Sequence, residues 1–110
     1  MTQKEFDKIV DEQVNDCIDC LVVKAREYVL DPNDRLRAFK LVWINDKEIK
    51  VNPKITLWGQ MVKHLSSIYD MSLKNEEYDK ENYDKWIEKI TDTINYLILL
   101  RGIIEDICKK

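Results

Sequence analysis

The sequence predicts an all-α fold: a single domain over residues 1–110, a four-helix bundle-like arrangement with two long terminal helices and two shorter ones between them. Three observations carry this. Only two Gly and two Pro occur in 110 residues, too few for the tight turns that an all-β domain consumes. The long runs without breakers are rich in Lys, Glu, Ile and Leu, which favour helix. The apolar residues recur at steps of three and four.

Each element follows from its own signals. Phe6, Val10, Val14, Cys17, Leu21, Ala25 and Tyr28 form one stripe, which predicts a first helix from Gln3 to about Leu30, roughly 40 Å long. Between Ile18 and Val23 the apolar surface widens, as expected of a section touched from two sides. Pro32 disfavours helical geometry at Asp31, so Asp31-Pro32-Asn33-Asp34 reads as a turn. A short second helix is expected over Arg35–Ile44, on Leu36, Phe39, Val42 and Trp43, followed by a polar turn at residues 45–48. Asn52-Pro53 opens a third helix reaching about Met71, because Asn accepts from a free backbone amide and Pro suits the first helical position. Gly59 costs that helix about 1 kcal/mol against Ala unless a neighbour needs the room. Residues 72–82 read as an exposed loop, with Asn82 capping a last helix from Tyr83 to about Cys108.

Composition limits the function. The formal charge of −3 argues against a general nucleic-acid binder, which carries a basic face. No apolar run is long enough to span a membrane. The first five residues lack an apolar signal core, and Cys17, Cys20 and Cys108 are odd in number. Both features predict reduced thiols and a cytoplasmic protein. Cys17-x-x-Cys20 has no second pair to complete a metal site, so core packing is the expected role of its thiols. A domain this small has a thin stability margin, which an oligomer would widen.

Chemistry concentrates on two helices. Glu88, Asp92 and Asn95 lie within about 60° on the last helix, opposite its main apolar face, and Leu99 continues the stripe about 20° from Glu88. A polar stripe that ends in Leu is expected to face a cleft between helices. Two carboxylates one turn apart can share a divalent cation such as Mg²⁺. On the third helix Lys63, Ser67 and Asp70 share a stripe bordered by His64, the single histidine; Lys63 suits a phosphate. Glu27 or Asp34 is placed to complete an acidic cluster, and Arg35 or Arg37 to grip a phosphate. The plain alternative is a solvated surface with a structural histidine. No Gly-rich phosphate loop, G-x-S-x-G, H-E-x-x-H or EF-hand pattern is present.

Four strings carry a resemblance: Lys24-x-x-Glu27-Tyr28; Asp34-Arg35-Leu36-x-x-Phe39-Lys40; Lys63-His64-x-x-Ser67-Ile68-x-Asp70-Met71; and Trp86-x-Glu88-Lys89-Ile90-x-Asp92-x-x-Asn95-Tyr96. Together they resemble small phage-type all-α proteins. More distantly they resemble the MazG-like and dimeric dUTPase-like nucleoside triphosphate pyrophosphohydrolases and the nucleotide-modification-associated domains of phages. The resemblance implies an oligomerising helical bundle, often a dimer, in the host cytoplasm if phage-encoded, with Mg²⁺ held between helices by carboxylates. The superfamily signature pairs E-x-x-E with E-x-x-D. Here the second half is Glu88-x-x-x-Asp92, one residue wider, while Glu5-x-x-Lys8 and Asp16-x-x-Asp19 do not fit the first half.

Three readings stay open. In a Mg²⁺-dependent nucleotide hydrolase, Glu27, Glu88 and Asp92 hold the metal, Glu88 and Asp92 serve catalysis, and Lys63 binds phosphate. In a non-catalytic nucleotide-sequestering protein with an anti-defence role, Lys63, His64, Arg35, Asn95 and Tyr96 hold phosphate and base. In a ligand-free helical interaction module the same stripes are polar surface.

Overall fold

The computed structural model describes residues 1–25, 33–45, 47–74 and 79–109, with residues 42–44 described by their backbone alone. The fold is all-α, as expected, with four helices of very unequal length among the described residues and one small β-hairpin. Helix α1 is Gln3–Ile18 and runs on into a π-helical segment, Asp19–Lys24. Helix α2 is one turn, Arg37–Lys40. Strands β1 (Leu41–Ile44) and β2 (Lys47–Lys50) pair antiparallel, with Leu41 opposite Lys50 and Ile44 opposite Lys47. Helices α3 (Pro53–Leu73) and α4 (Lys80–Cys108) complete the chain. No helix among the described residues is long and apolar enough to cross a membrane.

The ends of these helices follow from local chemistry. Thr2 and Glu5 form a reciprocal capping box, in which Thr2 Oγ1 accepts from the Glu5 amide at 3.1 Å and Glu5 Oε2 accepts from the Thr2 amide at 2.6 Å. Asn52 Oδ1 accepts from the Lys54 amide at 3.1 Å, with Pro53 just inside α3 as the sequence predicts.

Three expectations need correction. The second helix stops at Lys40, because the Leu41-Val42-Trp43-Ile44 run is aliphatic, aromatic and β-branched, which suits a strand. Asn45, at φ 50°, turns the chain there; Asn tolerates this left-handed conformation better than most residues. The last helix begins at Lys80, capped by Asp79, whose Oδ1 accepts from the Asn82 amide at 2.9 Å; Asn82 lies inside the helix. A carboxylate at the N-terminus gains from the helix dipole as well as from the hydrogen bond. The first helix leaves regular α geometry at Asp19, within the section where the apolar stripe widens. A π turn takes in an extra residue and rotates the stripe. The expected end of that helix near Leu30, the turn at Asp31-Pro32, and residues 75–78 of the expected loop lie outside the described residues.

Packing is uneven. The core cluster is Phe39 from α2, Leu57 from α3 and Ile103 from α4, joined by Leu36, Tyr96, Leu99 and Leu100. Lys40 Nζ reaches Asp34 at 3.0 Å and Asp106 at 2.9 Å, tying the segment before α2 to the end of α4. The Asp106 hydrogen bond, then that of Asp34, holds the Lys40 ammonium above its ordinary pKa. Across α1, by contrast, Cys17 is the one buried residue. Its attachment to α4 is marked by Gln13 Nε2 donating to Thr91 Oγ1 at 2.8 Å, with Thr91 itself buried.

Two stability outcomes follow. Phe39→Ala removes the side chain that joins three elements, and should cost about 3–5 kcal/mol by urea unfolding, a large part of the ~5–15 kcal/mol of a small domain. At Gly59 an added Cβ meets nothing within 4 Å, so the helical cost of glycine is uncompensated. Gly59→Ala should raise stability by about 0.5–1 kcal/mol in the same assay.

Candidate functional site

Two polar clefts lie on either side of one residue of α4, Asp92. The first, about 310 Å³, is bounded by the segment leading into α2, by α3 and by α4, and takes in Arg35, Gln60, His64, Asp92, Asn95 and Tyr96 with Phe39 and Leu99. The α4 members recur at Asp92, Asn95, Tyr96 and Leu99, spacings of three and four that put them on one face. The polar stripe that ends in Leu99 therefore faces a cleft between helices, with Glu88 displaced from it. His64 arrives from α3, its ring centroid 5.1 Å from that of Tyr96 at a 48° tilt. Its Nδ1 stands 3.8 Å from Asp92 Oδ2, too far for a hydrogen bond.

The polar accounting of this cleft is incomplete. Asn95 is 7% exposed, and its Oδ1 has no hydrogen-bond partner; His64 Nδ1 is likewise buried and unpartnered. A buried polar atom without a partner costs about 1–3 kcal/mol, so such atoms are uncommon in folded proteins. Both belong to residues that line the cleft. The Tyr96 phenol is held above its ordinary range, first by burial and then by the Asp92 carboxylate, since both disfavour phenolate.

The second cleft, about 400 Å³, lies between α4 and the end of α1 with its π segment. It gathers Asp16, Asp19, Asp84, Glu88 and Asp92, with Cys20 and Lys24. The register follows from Gln13 meeting Thr91, while Asp19 and Lys24 share the cleft with Asp84 and Glu88. Helices α1 and α4 therefore run antiparallel. The Asp16-x-x-Asp19 pair that fails the superfamily spacing thus faces the Glu88–Asp92 pair across a cleft. No pattern along a single helix marks this juxtaposition, because only the helix pairing brings the two pairs together. Gln60 was also missed; its single signal is its place one turn before His64.

The expected site residues divide accordingly. Arg35, His64, Asp92, Asn95 and Tyr96 meet in the first cleft, and Glu88 joins Asp92 in the second. Lys63 is exposed and lines neither, because neighbouring helical positions point about 100° apart and His64 takes the inward one. Glu27 lies outside the described residues. Among the described residues no three His, Cys, Asp or Glu side chains are grouped so as to hold a metal ion.

The site thus belongs to a small all-α protein with a polar interhelical cleft of small-ligand size. Compared with protein-family models, with curated proteins and with solved structures, the chain matches none.

The phenol gives a direct test of the geometry. Because its folded value lies above the ordinary value of about 10, the neutral form is favoured by folding. That stability is whole below pH ~10 and is lost as pH rises through the folded value. Ultraviolet titration of the wild type, with Tyr96→Phe as the difference reference, should show the Tyr96 phenol titrating late. Asp92→Asn should bring it part of the way down and leave the contribution from burial.

Proposed function

We propose that the cleft between α3 and α4 binds a nucleotide and that the chain acts by holding it. The observation that carries this reading is the convergence of Arg35, His64, Asp92, Asn95 and Tyr96 on one cleft with the Asn95 Oδ1 acceptor buried and unpartnered. A ligand that satisfies Asn95 brings an N–H donor, and a second donor is favoured beside the Asp92 carboxylate. The His64 and Tyr96 rings supply a wall for a flat heterocycle. Arg35 is exposed and offers a forked cation to a phosphate. An amino- or imino-bearing base joined to a phosphate combines these properties, and the cleft lies at the small end of ligand-site volumes. The resemblance of the Lys63–Met71 and Trp86–Tyr96 strings to nucleotide-handling proteins supports the same class.

The test is a thermal-shift and calorimetric screen over nucleoside mono- and triphosphates and cyclic dinucleotides. A binder at a hundred times its Kd should stabilise the fold by about 2.7 kcal/mol, and the nucleotide should be recovered intact after denaturation. Asn95→Ala should erase that stabilisation while leaving the ligand-free protein as stable or up to about 1 kcal/mol more so, since an unsatisfied buried acceptor is removed. A flat screen sinks the reading.

A hydrolytic second reading is favoured by one observation: Asp92 is shared with the carboxylate cleft that holds Glu88. Pyrophosphate released from a nucleoside triphosphate with Mg²⁺ present, and lost in Asp92→Asn, would replace sequestration by catalysis.

A further inference from the structure

We infer that the cleft between α3 and α4 selects its nucleotide by the base and takes guanine. The inference rests on the nucleotide reading above and adds the identity of the base. It is carried by two acceptors that stand next to each other on α4. Asn95 Oδ1 is buried without a partner, and an amide oxygen only accepts. Asp92 lies one turn earlier, and residues three apart on a helix are neighbours on its surface. Its side chain is 32% exposed, so a ligand can reach it. A carboxylate, too, accepts and does not donate. His64 Nδ1 stands 3.8 Å from it, which leaves the carboxylate's lone pairs open to a closer donor.

The pairing edges of the bases sort on this feature. Guanine alone among the common bases carries two donor groups side by side, the ring N1–H and the 2-amino group. Adenine and cytosine carry an amino group beside a bare ring nitrogen, which sets a lone pair against one of the two acceptors. Uracil and thymine carry one ring N–H between two carbonyl oxygens, with the same conflict on either side. A buried acceptor that meets another acceptor loses its water and gains no bond, so the mismatch is costly.

The third group on the guanine edge is the 6-carbonyl beside N1, which requires a donor. His64 and Gln60 lie one turn apart on α3 and line the same cleft. His64 Nδ1 is the other buried polar atom without a partner. With its proton on Nδ1 the ring donates to that carbonyl. The three groups of the base then meet His64, Asp92 and Asn95 in order, and one ligand supplies partners to both orphaned atoms.

The experiment is calorimetric titration of the full chain with nucleotides that differ in the base. GMP and IMP differ by the 2-amino group alone, and AMP turns the N1 position from donor to acceptor. The expected order is GMP tightest, then IMP, roughly tenfold weaker for the donor it withholds from Asn95. AMP, CMP and UMP should be weaker than GMP by on the order of a hundredfold or more. Cyclic diguanylate against cyclic diadenylate distinguishes a dinucleotide from a mononucleotide as the source of the base, and the guanine form should be the tighter of that pair as well. The isosteric Asp92→Asn puts a donor beside the carboxylate position. It should weaken GMP and strengthen AMP, narrowing their ratio by roughly tenfold, whereas a merely structural Asp92 would move both affinities together. Binding of AMP or UMP as tight as that of GMP, equal binding of IMP and GMP, or a ratio unchanged in Asp92→Asn overturns the guanine assignment while the nucleotide reading stands. Failure of every nucleotide to bind overturns both.

Discussion

The contact of Phe39 with Leu57 and Ile103 is the constraint on which the rest of this molecule depends. It is the point where the segment after the first helix, the middle helix and the last helix meet, and few other side chains are fully buried. Tyr96 and Leu99 pack against this cluster and also line the polar cleft, as Phe39 itself does. Core and cleft are therefore two faces of one set of side chains. The Lys40 bridge to Asp34 and Asp106 closes the same region from outside. It is partly solvated, so its value lies in fixing where Arg35 stands more than in energy.

Away from this point the structure loosens in a graded way. Helix α1 is held to α4 by a polar pair, Gln13 with Thr91, inside an otherwise apolar seam. A buried hydrogen bond adds little net energy, but it penalises every register that breaks it. The pair thus specifies how α1 lies on α4 without making the contact strong. The π segment that follows carries Asp19 and Lys24 into the acidic cleft.

Much of this could be read from residue order, and the failures share a cause. The caps of α3 and the inward face of Asp92, Asn95 and Leu99 depend on neighbours within one or two turns, so spacing suffices to find them. The hairpin after Lys40 was missed because a four-residue apolar run satisfies helix and strand templates equally. Lys63 and His64 are adjacent, and sequence cannot say which of them looks toward α4. Asp16 and Asp19 do not fit the carboxylate signature by their spacing. Their position opposite Glu88 exists only once α1 lies antiparallel on α4, a tertiary fact that a pattern along one helix does not contain.

Asp92 connects the two clefts and makes the electrostatics of one a condition on the other. Its carboxylate adds to burial in raising the Tyr96 phenol on one side and lines the second cleft with Asp16, Asp19, Asp84 and Glu88 on the other. The four further carboxylates that line this second cleft, with Lys24 as its cation, leave it net negative. An anionic group entering the first cleft is pushed from the α4 side toward Arg35, and a group that donates N–H bonds is drawn the opposite way. On the proposed reading this polarity orients the ligand, phosphate outward at Arg35 and base inward at Asn95 and Asp92. On the same reading the exposed Lys63, which lines neither cleft, takes no direct part, and Arg35 is the cation at the rim that faces the phosphate.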